Sequence, residues 1–243
     1  MTSATSLFTD GFNILAAAVT EDRSVDLLSG DTLFFPGLTF AGQEVSTLAA
    51  LIPGTDQRLN NDFSTDLRLE FNDYAIIHLA THATFRPGVP EESFILFGDG
   101  RADLTEIKNT WSFPNVDLVV LSACETGVGD ELGDGTEILG FGYLMQLAGA
   151  DAAIASLWKV SDPGTQVFMT RFYQALQGGA AKAKALQTAQ LALIDPDTGG
   201  SAGEDRASAR PTLLDGRTLE ANALPGYSHP YYWAPFILIG NGL

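Results

Sequence analysis

The sequence predicts an α/β fold, a doubly wound and mainly parallel sheet flanked by helices on both faces in three layers. Short runs that are apolar on both faces recur along the chain, as strands of a covered parallel sheet require. Segments of helical periodicity separate them, which calls for strand-helix alternation. At 243 residues, 45% of them aliphatic, aromatic or cysteine, the chain can bury one large core.

The strands are read in order. FNILAAAV (Phe12 to Val19), YAIIHLA (Tyr74 to Ala80), DLVVLSA (Asp117 to Ala123), AAIASLW (Ala152 to Trp158) and APFILIG (Ala234 to Gly240) are the main runs. TDQRLN (Thr55 to Asn60) and FILF (Phe94 to Phe97), the latter before the turn Gly98-Asp99-Gly100, add two shorter ones.

Helices are expected between them. AGQEVSTLAALI (Ala41 to Ile52) and FSTDLRLEF (Phe63 to Phe71) flank the TDQRLN strand. In DGTEILGFGYLMQLAG, Asp134 suits a cap with Glu137 reaching back, and Gly149 suits the end. That helix is apolar almost all round, so burial on every side is expected. A further helix starts at Asp162-Pro163, where the missing proline N–H is harmless. Its apolar face is Phe168, Phe172, Ala175 and Leu176. Gly178-Gly179 breaks it, and Ala183, Leu186, Ala189 and Leu193 form the stripe of the next.

From Asp195 to Tyr227 periodicity dissolves into glycine, alanine and charge, which reads as a long mobile loop. One domain over residues 1–243 is expected, its first 37 residues the least defined part.

Thirteen basic against thirty acidic residues give a formal charge of -17. Such a chain repels phosphate backbones and anionic membranes at long range, which argues against nucleic-acid and lipid partners. ILAAAV is too short to span a bilayer. The single cysteine cannot form an internal disulfide, which suits the reducing cytoplasm.

That cysteine carries the chemistry. Cys124 ends the run DLVVLSAC, at the kind of strand edge where reactive groups collect in open α/β sheets. Taken alone, it could equally be an inert core residue. A second strand, YAIIHLATHATF, runs out to His82, and two neighbouring strand ends would place imidazole and thiol on one rim. His78 and His82 have H-x3-H spacing, but two imidazoles share a face at that spacing only on a helix. His78 is therefore read as a hydrogen-bonded core residue rather than a zinc ligand. His229 belongs to HPYYWAPF, whose aromatics are read as packing the last strand rather than binding a ring.

Five blocks in order, YAIIHLATHATF, DLVVLSACETG, the GDG before the apolar helix, AIASLWKVSDPGT and HPYYWAPFILIGNG, resemble the CHAT-domain family of caspase-like (clan CD) cysteine peptidases. The resemblance runs from about Leu38 to the last residue. It implies a caspase-like fold and a cysteine endopeptidase with a His82 and Cys124 dyad, using a thioester intermediate and no cofactor. The backbone N–H groups of Ala83 and Cys124 would form the oxyanion hole.

The family pattern has glycine after the histidine. Alanine resists positive φ, so activity would suffer if residue 83 had to be left-handed. Ser122, Glu125, Trp158, Lys159 and Asp162 are the implied substrate-binding residues, and Asp162 also suits a helix cap. The implied partners are a protein or peptide substrate and a regulatory protein or helical-repeat region. The alternative is a catalytically silent docking module on the same fold. An amidotransferase-type glutaminase fits poorly, because such enzymes place the nucleophile before the histidine.

Overall fold

The computed structural model describes residues 13–85, 89–122, 136–158, 162–194 and 227–243. Its centre is a six-stranded sheet in the order β11-β10-β9-β5-β1-β4. The strands are β1 (Ile14–Ala18), β4 (Asp56–Leu59), β5 (Ile76–Ala80), β9 (Leu118–Leu121), β10 (Ala152–Ser156) and β11 (Phe236–Gly240). The first five run parallel and β11 is antiparallel at one edge. The main apolar runs of the sequence are thus the sheet, and β1, β5, β9 and β10 are buried at every position.

Three helices cover one face: α1 (Thr39–Leu51), α4 (Asp162–Gln177) and α5 (Lys182–Ile194). Val45, Leu48, Phe168, Phe172, Leu176, Leu186 and Leu193 from these helices pack on Ile14, Ile76, Leu118, Val120 and Ile154. Phe168 stacks on Phe236 with ring centroids 4.0 Å apart, and burying a side chain of that size stabilises by about 1.5–3 kcal/mol. The opposite face carries α2 (Leu104–Thr110) and α3 (Thr136–Leu147). The hairpin β2 (Arg23–Asp26)–β3 (Thr32–Phe35) and the small sheet β6 (Ala83–Thr84)–β7 (Phe94–Leu96)–β8 (Arg101–Asp103) lie on that side too. Its core is aromatic: Phe63, Phe71, Phe94, Phe97, Trp111, Phe113 and Phe141 are all buried. The architecture is the predicted three-layer α/β/α sandwich.

Two expectations need correction. The FSTDLRLEF segment is a 3-10 helix over Thr65–Asp73, not an α-helix. A 3-10 turn rises about 2.0 Å per residue against 1.5 Å, so the same residues reach further between Phe63, packed on Phe97, and the start of β5. Helix α3 is not buried all round: Phe141 and Met145 are sealed, whereas Tyr143 and Leu147 are mostly exposed because only one side meets the sheet.

The cap at Asp134 and most of the segment from Asp195 to Tyr227 lie outside the described residues. Residues 14–37 are built into the fold through β1 and the β2–β3 hairpin. Among the described residues no helix is long and apolar enough to cross a membrane.

Strand order places the site. The chain leaves β1 for β4 on one side, then returns to β5 on the other. The carboxyl ends of β1 and β5 therefore border a topological switch point, where open α/β sheets hold their ligands.

Candidate active site

Three strand ends meet at this rim. β5 pairs with β1 on one side and β9 on the other, and Ser122 N–H still donates to the Leu79 carbonyl (3.1 Å). The strand leading to Cys124 is thus beside the strand leading to His82 at the last residue described before the cysteine. Cys124 itself, Glu125 and Lys159 lie outside the described residues.

His82 is buried, 5% exposed, just beyond β5. Its ring lies against Phe35, centroids 5.3 Å apart, and its Nε2 is 2.8 Å from the carbonyl oxygen of Pro36. A carbonyl can only accept, so Nε2 carries the hydrogen in this contact.

The sequence reading did not include Pro36. Its only signal is the Pro-Gly dipeptide after FF, a turn mark that says nothing of where a carbonyl points. Gly37 allows the arrangement: a Cβ there would lie 2.2 Å from the Thr20 carbonyl oxygen, so only glycine lets this turn press on the chain leaving β1.

Ala83 opens β6, opposite Ile95. Leu96 N–H donates to the His82 carbonyl (2.9 Å), which makes 82 and 96 the hydrogen-bonded pair. Antiparallel pairs alternate, so the Ala83 N–H is turned away from β7. Among the described non-glycine residues only Asn60 has positive φ, so Ala83 is not left-handed.

The other expected residues divide. Ser122 is 1% exposed and, among the described residues, its hydroxyl has no hydrogen-bond partner. The same is true of Ser156, which extends the β9–β10 register to sit beside it on the face of α1 and α4. Trp158 follows β10 and donates from Nε1 to the Tyr231 carbonyl (3.2 Å), tying the strand end to α6 (Pro230–Trp233). Asp162 begins α4; its side chain lies outside the described residues. His229 caps α6, with Nδ1 accepting from Tyr231 N–H (3.2 Å).

His78 is the sealed core residue expected, at 0% exposure. Its Nδ1 is 2.9 Å from the Tyr173 hydroxyl on α4 and its Nε2 is 2.7 Å from Glu44 Oε1 on α1. Burial, reinforced by the Glu44 charge, pushes the Tyr173 hydroxyl well above its ordinary range. Tyr173 and Glu44 thus each bring a polar oxygen close to one imidazole nitrogen within the core.

The CHAT domain profile matches residues 4–241, nearly the whole chain. The chain belongs to the CHAT domain family. This is a caspase-like family of clan CD. The match begins well before Leu38, so β1 and the β2–β3 hairpin are part of the CHAT domain, as their packing indicates. No curated protein matches the chain.

Proposed function

We propose that this CHAT domain is a cysteine endopeptidase that cuts protein or peptide substrates with His82 and Cys124. The observation that carries the reading is the placement of His82 at the switch point, with Nε2 held by the Pro36 carbonyl, beside the strand that runs into Cys124. Family membership supports it over nearly the full chain.

The chemistry follows from the groups. A free thiol has pKa about 8.5, and a neighbouring imidazolium favours the thiolate at neutral pH. The sulfur attacks the scissile carbonyl carbon, and the oxygen becomes an oxyanion facing the N–H groups of Ala83 and Cys124. His82 then gives the Nδ1 proton to the leaving amine, leaving a thioester. Nδ1 next takes a proton from water, the hydroxide displaces the thiolate, and the acid product leaves. Trp158 is the described candidate for lining the substrate pocket, with Glu125, Lys159 and Asp162 as further ones, whereas Ser122 is sealed in the core. A partner protein or helical repeat would regulate access, and the single cysteine fits a reducing cytoplasm.

Since Cys124 is the only cysteine, one mass shift reports on it alone. Wild type, Cys124→Ala and His82→Ala would be treated with a peptidyl acyloxymethyl ketone and followed by mass spectrometry. The expected result is one adduct on wild type, none on Cys124→Ala, and labelling slowed about 100-fold or more in His82→Ala. Wild type labelling no faster than a small free thiol would sink the peptidase reading and favour a docking role.

A further inference from the structure

The Pro36 carbonyl and the Gly37 N–H are two ends of one planar peptide unit. At one end the carbonyl accepts from His82 Nε2 (2.8 Å), and at the other the N–H donates to Asp22 Oδ1 (2.9 Å). A carboxylate thus touches the imidazole through a single rigid amide. We propose that Asp22 is a positioning residue for His82, holding the ring's tautomer and favouring its protonated form through the Pro36–Gly37 peptide. This goes beyond the dyad and rests on His82 being the acid–base group of the site.

Three physical points support the relay. Hydrogen bonds in series polarise one another by roughly 10–30% each, so a charge drawing on the N–H makes the carbonyl a better acceptor. An anionic acceptor strengthens the bond it receives. The amide is also fixed in place: Gly37 has no room for a side chain against Thr20, and Phe35 packs on the His82 ring.

The neighbouring charges leave Asp22 to this task. Arg23 directs its guanidinium to Glu21 (3.0 Å), Asn61 (3.2 Å), the Gly98 carbonyl (2.9 Å) and the backbone carbonyl of Asp22 (3.0 Å). Among the described residues, Phe35 of β3 flanks the imidazole, and Glu21, Asp22 and Arg23 are the charged groups of the loop behind the peptide. Asp22 is exposed, so solvent screens its charge and the effect is modest.

The sign is fixed. A negative charge favours the imidazolium, so neutralising it makes the ring lose its proton at lower pH. Ring nitrogen and carbon shifts of the three histidines would be followed by NMR against pH in wild type, Asp22→Asn and Asp22→Ala, with His78 and His229 as internal references. The expected fall in the His82 midpoint is about 0.3 to 1 unit in both variants, a roughly two- to tenfold change in ionisation. Asp22→Ala, which leaves Gly37 N–H with no side-chain acceptor, should in addition weaken the preference for hydrogen on Nε2, and Asp22→Asn should preserve it. A merely structural aspartate would lower the melting temperature and leave both readouts in place. The relay is overturned if His82 keeps its wild-type midpoint in both variants, or takes up no proton in wild type down to about pH 5.

The pH profile of Cys124 alkylation separates this from the peptidase reading. If wild-type sulfur alkylates like a free thiol while Asp22→Asn still moves the His82 midpoint, the relay stands and the dyad fails. If the profile shows an ion pair that Asp22→Asn leaves unmoved along with the midpoint, the dyad stands and the relay fails.

Discussion

Ala83 occupies the position where the family pattern has glycine, yet its backbone makes no demand that alanine cannot meet. It lies in a strand, and the alternation of the β6–β7 ladder turns its N–H outward. Ala83→Gly is therefore expected to leave turnover of a peptide substrate within about twofold of wild type, since the donor is unchanged and no left-handed residue is relieved. A rise of an order of magnitude would show that alanine had been holding the site back. At this scale the sequence told part of the story. His82 could be singled out because strand ends carry chemistry, and Ala83 only through the family resemblance. The Pro36 carbonyl could not, because every residue has a carbonyl and only the folded turn decides where this one points.

Between elements, the clearest joint is the Glu44, His78 and Tyr173 cluster, which ties α1 and α4 to the middle of the sheet. Tyr173→Phe leaves a sealed imidazole nitrogen without its partner and should destabilise by about 1–3 kcal/mol, read from urea midpoints at neutral pH. The same tyrosine sets a pH dependence. Burial keeps its hydroxyl neutral above its ordinary range, whereas in the unfolded chain it ionises near 10. Above that pH the unfolded state holds fewer protons, so stability falls as pH rises. The decline should be shallower in Tyr173→Phe; an identical slope would mean that the hydroxyl is not sealed.

The sheet was legible because β1, β5, β9 and β10 are apolar on both faces, His78 and Ser156 being the polar exceptions. The β2–β3 hairpin and the strands β6 and β8 were not, since two to four residues are too short for any period to show. The 3-10 stretch read as α because Leu67 and Phe71 suit either winding. His78 was legible as core because its run is apolar, but its partners come from two helices distant in sequence and no local pattern announces them.

Taken whole, the molecule is an acidic body with a formal charge of -17 and a sequence pI of about 4.3. Repulsion among like charges opposes compaction, and salt screens it within about a Debye length. The melting temperature at neutral pH should rise by about 2–4 °C between 10 and 150 mM NaCl, corresponding to about 1 kcal/mol for a chain of this size. A fall would indicate that attractive ion pairs dominate the surface.

The parallel order of β1, β5 and β9 bears on timing during synthesis. Parallel neighbours cannot be zipped by a tight hairpin; each pairing waits for a crossover to be made and for its loop entropy to be overcome. The turn after β3 that bears Pro36, the histidine, and the strand that runs toward the cysteine come from stretches that meet only after those crossovers close. On the proposed peptidase reading, a nascent or half-folded copy would therefore carry an ordinary, slow thiol, armed only once the chain has finished folding.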